Sequence, residues 1–431
     1  MNAGQARETA PRKRKGEKQE RSLQRRALIA EAAIKVLATK GVAGLTHRIV
    51  AQEADVPLAS TTYYFENKFE IISEASRRTL DAYSEAFRDA AERFKKEPND
   101  PELFKSFAAR LVRNAVERDR IRALCWAEIT LDARRNAESL LLARQWFVGL
   151  SDVWQEMAEN SGLPNPREAA RSAIDLLIGL LLVTTSLGLT AEQVDAVLKH
   201  GADPLSAWKI DSDDTSQSPA PKRKSKKAHE TREKIVSAAI EILIKDGPDA
   251  VTYRAVAHEA GITQAGPFYH FLSVDLLMGA AQQRLFEESK QRYREVASEI
   301  GQINDVEKLI DRTTAVLLRE STEFAGHNLA SYTIWLQAAR NPKLRPMIWG
   351  AFSDQCRAWQ RLLGPLSSHS DPLSPLFAFC SFVGAHVRLI STGSPLQDLA
   401  SVRSEFASDL TALTKSEHWF IHKLAQMTKK D

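Results

Sequence analysis

Cysteine is scarce: Cys125, Cys356 and Cys380 are the only three in 431 residues. They show no metal-ligand spacing, and an odd count in a long chain argues against a disulfide framework and for a reducing compartment. We read them as buried thiols. A Gly-rich phosphate loop, a nucleophile elbow and a paired-carboxylate motif are all missing, so nothing asks for an enzyme or a cofactor. No stretch reads as a credible strand, which leaves an all-α class. Long apolar runs are nearly missing too. The most apolar, Ala173–Leu189, is slightly short for a membrane span and carries Asp175, so a helix buried on all sides is expected. The basic N-terminus is followed by no apolar segment, so no secretory signal is expected and the cytoplasm is the expected location. His418 and His422 stand four apart but have no third ligand, so they are expected on a surface helix rather than at a metal.

What is present is an ordinary soluble composition, 43% hydrophobic and 26% charged, long enough for two or more domains. The net charge is only +4 but unevenly spread: basic clusters fill Arg12–Arg26 and Lys222–Lys234. Each cluster precedes one copy of an internal repeat. Arg26–Ile72 aligns without a gap on Arg232–Met278, with roughly a third of positions identical, among them Arg26/Arg232, Gly41/Gly247, Thr46/Thr252, Arg48/Arg254, Tyr63/Tyr269 and Phe65/Phe271. At a shift one residue smaller the repeat continues, with Arg135 matching Arg340, Trp154 matching Trp359 and Gly179 matching Gly384. A near-constant shift over so long a stretch indicates duplication of a whole two-part unit.

Within each copy the apolar period is 3.6. Ile29, Ala32, Ala33, Val36 and Leu37 form one stripe that closes at Gly41, suited to a helix C-cap; Thr46 can cap a short helix over His47–Ala54; a turn at Asp55–Pro57 leads to Leu58–Phe65. The second copy repeats this, with Thr252 as cap and Gly261 in the turn. Two short helices joined by a turn behind a supporting helix form a helix-turn-helix. Longer helices are expected over Phe69–Phe94, Leu103–Glu117, Ile121–Asp132, Glu138–Asn160 and Arg167–Leu189. The sequence thus divides into a disordered basic arm (1–22), a first helix-turn-helix (23–72), a first helical domain (73–209), a basic linker (210–228), a second helix-turn-helix (229–278) and a second helical domain (279–431).

On these residues, ending in Phe65-Glu66-Asn67-Lys68, the chain resembles the TetR family of bacterial transcriptional regulators, and its second copy resembles the same pattern through AHEAGIT and FYHF, with Val274 where Lys68 stands. The outward side of the first recognition helix, Leu58, Ser60, Thr61, Thr62 and Tyr64, is small and hydroxylated and suits the major groove of double-stranded DNA; the second offers Gln264, Gly266, Pro267, Phe268 and His270. The resemblance implies that Arg48 and Arg254 reach a base or phosphate and that Lys68 grips phosphate, with Thr46 and Thr252 capping beside them. Tyr63, Tyr64, Tyr269 and His270 are either backbone contacts or packing residues. It also implies that each helical domain binds a small-molecule effector and dimerises, and that the protein represses transcription until its ligand arrives. Aromatic residues that could line an apolar pocket are Tyr83, Phe107, Trp126 and Trp146 in the first half and Phe324, Tyr332, Trp335 and Trp349 in the second; His386 and Arg388 could meet an acidic ligand group or line an interface. With both units in one chain, an intramolecular pseudo-dimer is expected, with Ala173–Leu189 packed against Leu376–Thr392 and two dissimilar half-sites read.

Overall fold

The computed structural model describes residues 10–135, 137–210, 226–367 and 371–421, and among them there is no strand. The linker's 211–225 and His422 lie outside the described residues. In the first half the helices are α1 (Ala10–Gly44), α2 (His47–Glu53), α3 (Leu58–Tyr64), α4 (Lys68–Lys96), α5 (Pro101–Val116), α6 (Arg120–Asp132), α7 (Ala137–Asn160), α8 (Pro166–Leu187), α9 (Ala191–Leu198) and α10 (Pro204–Ala207). In the second they are α11 (Lys226–Asp246), α12 (Tyr253–Glu259), α13 (Ala265–His270), α14 (Val274–Ile300), α15 (Val306–Thr322), α16 (Ala325–Arg340), α17 (Arg345–Leu363), α18 (Ser374–Thr392) and α19 (Leu396–Lys415). The expected arm is corrected in part: α1 already begins at Ala10, because Lys, Arg, Glu and Gln are good helix formers that extend the amphipathic helix backwards. Residues 1–9 lie outside the described residues.

A glycine kinks α1 and ends α11. Gly41 and Gly247 have φ of 71° and 87°, a region costly for any residue with a Cβ. Thr46 and Thr252 then accept hydrogen bonds from Ile49 N (3.2 Å) and Ala255 N (3.1 Å), capping α2 and α12. The turns into α3 and α13 pass through positive φ at Asp55 and Gly261. A guanidinium stacks on each buried aromatic ring that closes the motif, Arg26 over Phe65 at 5.0 Å and Arg232 over Phe271 at 4.7 Å.

The halves meet along α8 and α18, which run antiparallel with α7 and α17 flanking them. Both central helices are apolar and long enough to cross a membrane, but here they are buried against each other and the surrounding helices. Their backbones touch at two matched places: a Cβ on Gly179 would land on the Cys380 carbonyl, and one on Gly384 on the Asp175 carbonyl. Residue 175 matches 380 and 179 matches 384, so the contact is that of a pseudo-two-fold. Across it the buried Arg388 donates two 2.8 Å bonds to the Asp175 carboxylate, and within its own half one of 2.7 Å to Glu405. Burial opposes the guanidinium charge, but Asp175 and Glu405 outweigh it and hold Arg388 protonated. Arg388 thus lies at the contact between the halves.

The termini of the two helical domains also cross over. Trp208, past α10, is fully buried, donates to Gln193 O (2.9 Å) and stacks near Phe352 of the second half. In return, Trp419 beyond α19 meets Phe104 of the first half at 5.1 Å and donates to Ser172 Oγ at 3.1 Å. His418 is therefore no surface-helix residue: it is 1% exposed, beyond the end of α19, and burial pushes its pKa down to about 3. No cluster of three potential metal ligands occurs among the described residues.

Candidate nucleic-acid interface and ligand cavity

The recognition helices α3 and α13 present their outward faces at corresponding positions. Tyr63 and Tyr269 are 80% and 81% exposed, far beyond what a packing aromatic shows, while Phe65 and Phe271 at their feet are buried. The packing role belongs to the phenylalanines and the outward role to the tyrosines. Leu58, Thr62 and Phe268 are exposed beside them, with Gln264 at the start of α13; Ser60, Tyr64 and His270 are half-buried. Arg48 and Arg254 are exposed on α2 and α12 with no carboxylate partner among the described residues, which leaves both charges available to a polyanion.

Three expected contacts are corrected. Thr61 is fully buried and its hydroxyl donates to Leu58 O at 2.8 Å, because the helix must turn one side toward α2 and this residue is on it. Its counterpart Pro267 is buried likewise. Gly266, like its counterpart Ser60, is half-buried, and a Cβ there would crowd the Ile262 side chain at 2.8 Å. Lys68 does not reach outward either: its ammonium donates to Ala43 O at 3.3 Å at the junction of the halves. Burial lowers its pKa, with Asp132 and Asp249 working against the shift. The difference between Lys68 and Val274 thus bears on that junction, not on a phosphate.

In the first helical domain a cavity of about 90 Å³ opens among α4, α5, α6, α7 and α8. Tyr83, Trp126 and Trp146 line it as the sequence suggested, joined by Phe87, Leu111, Trp154, Ile178 and Leu181, with the Asp119 carboxylate among an otherwise almost wholly apolar lining. Phe107 stands one ring behind, edge-on to Phe87 at 6.3 Å. Trp154, which the repeat matches to Trp359, is a wall as well. Its helical position reads the same for either role, so the sequence carried no signal to separate them.

At the positions that line this cavity, the second helical domain holds different side chains. Where the first half has Ala115, Trp126, Ile174 and Leu181, the second has Glu320, Ser331, Phe379 and His386. Arg292 forks onto Glu320 with two 2.7 Å bonds under the Phe324 ring, Asn328 adds a third at 2.7 Å, and the Tyr332 hydroxyl meets His386 Nδ1 at 3.0 Å. Burial pushes the His386 pKa down to about 4. Tyr332 and Trp335 are buried core and Trp349 is half-buried against Phe352, so larger and polar side chains stand at the positions matched to the first-half cavity. Nearer the surface a groove of about 340 Å³ is lined by Lys290, Arg294, Arg312 and Arg361 beside Tyr293 and Trp359.

Comparison with known families agrees with this architecture. The tetracyclin repressor-like C-terminal domain matches residues 99–203 and again 304–412, and the N-terminal region of bacterial regulatory proteins of the tetR family matches residues 235–280. The chain is a TetR-like regulator. As such it is a DNA-binding transcriptional regulator. The N-terminal match falls on the second copy, the one whose recognition helix contains Gly266-Pro267. Six solved chains resemble this TetR-like regulator. Among them are the multidrug binding protein EbrR complexed with imidazole, 23% identical over 43% of this chain and 90% of that one at a TM-score of 0.35, and EbrR complexed with malachite green, 23% identical over 45% and 99% at 0.34. No curated protein matches the chain.

Proposed function

We propose that this TetR-like regulator is a cytoplasmic repressor that binds two dissimilar half-sites with its two helix-turn-helix units and leaves them when a small apolar or aromatic molecule enters the first helical domain. The observation that carries the reading is the pair of unlike outward faces: Leu58, Thr62 and Tyr63 on α3 against Gln264, Phe268 and Tyr269 on α13, both beside an unpaired arginine. Identical recognition helices read palindromes, whereas unlike ones favour unlike half-sites. The two units are a tandem pair that works as a pseudo-dimer within one chain, supported by the matched Gly179 and Gly384 contacts. Light scattering at micromolar concentration should give a mass near 48.1 kDa, and twice that would overturn the pseudo-dimer.

The ligand reading rests on the cavity walled by Tyr83, Trp126 and Trp146. At about 90 Å³ it is smaller than a 150 Å³ cavity known to admit benzene, so a larger ligand must part its walls. Because α6 forms one wall, packs on α1 and leads into Arg135, whose guanidinium reaches Leu243 O on α11, that movement reaches both helix-turn-helix units. Coupling of about 1–3 kcal/mol would change DNA affinity 5 to 150-fold. Selection from random DNA with the purified chain, followed by a screen of small aromatic molecules for release, tests both parts. A perfect palindrome would overturn the two-half-site reading; retention of DNA by every ligand that raises the melting temperature would overturn the release. In that case the helical domains are a scaffold, a reading favoured for the second half by its filled interior.

A further inference from the structure

Each supporting helix of a helix-turn-helix is tied to the opposite unit by one arginine. The glycines that kink α1 and end α11 leave carbonyls of the preceding turn without intrahelical donors. Arg340, the last residue of α16 in the second unit, donates Nε to Ala38 O at 2.7 Å and Nη2 to Leu37 O at 3.1 Å, both on α1 of the first unit. Arg135, just past α6 in the first unit, donates Nη2 to Leu243 O at 3.2 Å, on α11 of the second. Arg135 matches Arg340, and Leu37 matches Leu243, so the two ties are one crossed contact made twice. A cation suits the negative end of a helix, and both guanidiniums are mostly buried.

The two ties are unequal. Arg340 also pairs at 2.6 Å with Glu128, a buried α6 carboxylate that accepts Val42 N at 3.3 Å, so α1, α6 and α16 are clamped together. The counterpart of Glu128 is Thr333, which donates only to its own helix. Arg135 makes its one carbonyl bond and otherwise pairs with Asp132 on its own turn, at 2.8 Å.

We propose that Arg135 and Arg340 are positioning residues for DNA recognition, which set the separation of α3 and α13 by holding each helix-turn-helix to the other unit, and that the second, on the weaker tie, is the one that moves. The proposal rests on the reading that both units engage DNA. Without the crossed ties, the spacing would rest on the α6–α16 and α8–α18 contacts and on Asp249, which accepts from Gly44 N. With them, any shift of α6 or α16 is felt directly by the opposite reader.

Hydrogen exchange on the full chain decides the crossing without DNA. Arg340→Ala should speed exchange about tenfold in α1–α3 and leave α11–α13 unchanged, and Arg135→Ala should do the reverse. Acceleration within the mutated residue's own unit, equal acceleration in both, or none overturns the proposal. Thermal melting checks that each variant folds, and Arg340→Lys, which keeps the charge at the helix end but not the fork, should restore part of the protection. On duplexes carrying the selected half-sites at spacings that differ by single base pairs, the wild type should prefer one spacing by about tenfold and both alanine variants should flatten that preference. A preference as sharp in the variants as in the wild type overturns the proposal. A wild type that protects a single half-site overturns the two-half-site reading instead, while the exchange pattern still decides the crossed tie.

Discussion

Where the first half gathers Tyr83, Trp126 and Leu181 around a cavity, the second half sets Ser289, Ser331 and His386, and a network of buried Arg292, Glu320, Asn328 and Tyr332 closes the space. Yet the same two halves keep Gly41 with Gly247, Gly179 with Gly384 and Arg135 with Arg340 in equivalent geometry. Positions at which one half touches the other answer to both copies at once, because a change on either side must fit the partner's backbone. Interior positions answer only to their own half. One interior could therefore stay open while the other filled, provided every buried polar group in it found a partner.

The comparison breaks most visibly at Arg388 and its counterpart Val183, both buried on the central pair of helices. Arg388→Ala strands the Asp175 carboxylate in the interior and should cost about 3–5 kcal/mol, whereas Val183→Ala should cost about 2 kcal/mol. Urea denaturation measures both, and equal costs would mean that the charged bridge contributes no more than packing. A smaller effect separates the crossed termini. His418 has a folded pKa near 3 against an ordinary 6.5, so its contribution is present above pH 6.5 and is lost as pH falls toward 3, because only the unfolded chain takes the proton. Between pH 6.5 and 5 that loss is about 2 kcal/mol, and His418→Gln should remove it from the pH dependence of the unfolding free energy. The smallest effects lie at the reading heads. Arg48→Ala and Arg254→Ala should each reduce the slope of log affinity against log salt by about 0.9, while Lys68→Ala should leave it unchanged. A reduction for Arg48 alone would leave the second copy without a phosphate contact.

Much of this was legible in the sequence because it is local. The 3.6 period, Thr46, Gly41 and the repeat shift locate the helices from α2 to α8 to within about two residues, and the apolar run around Gly179 marks the helix on which the halves meet. What stayed hidden depends on partners far away in the chain. Lys68 reads as a phosphate contact until Asp132 and Asp249 are seen beside it. Thr61 reads as outward until the short α3 is docked on α2. Nothing in the periodicity of the second half distinguishes a filled interior from an open one, since Tyr332, Trp335 and His386 lie at helical spacing in either case. The α9 and α10 helices went unread because they are short, although Thr190 and Gln193 form a reciprocal cap that the sequence does spell out.

The filled interior of the second half also bears on how steeply this regulator can respond. A symmetric dimer has two like cavities for one pair of reading heads, and occupation of the first can ease occupation of the second. If the first-half cavity serves both heads, as proposed, that source of homotropic cooperativity is removed. The expected dose–response curve is then a plain hyperbola, with a Hill coefficient of about one and one ligand per bound duplex. On that reading the protein would report ligand concentration in gradations, where a two-cavity relative would act as a threshold.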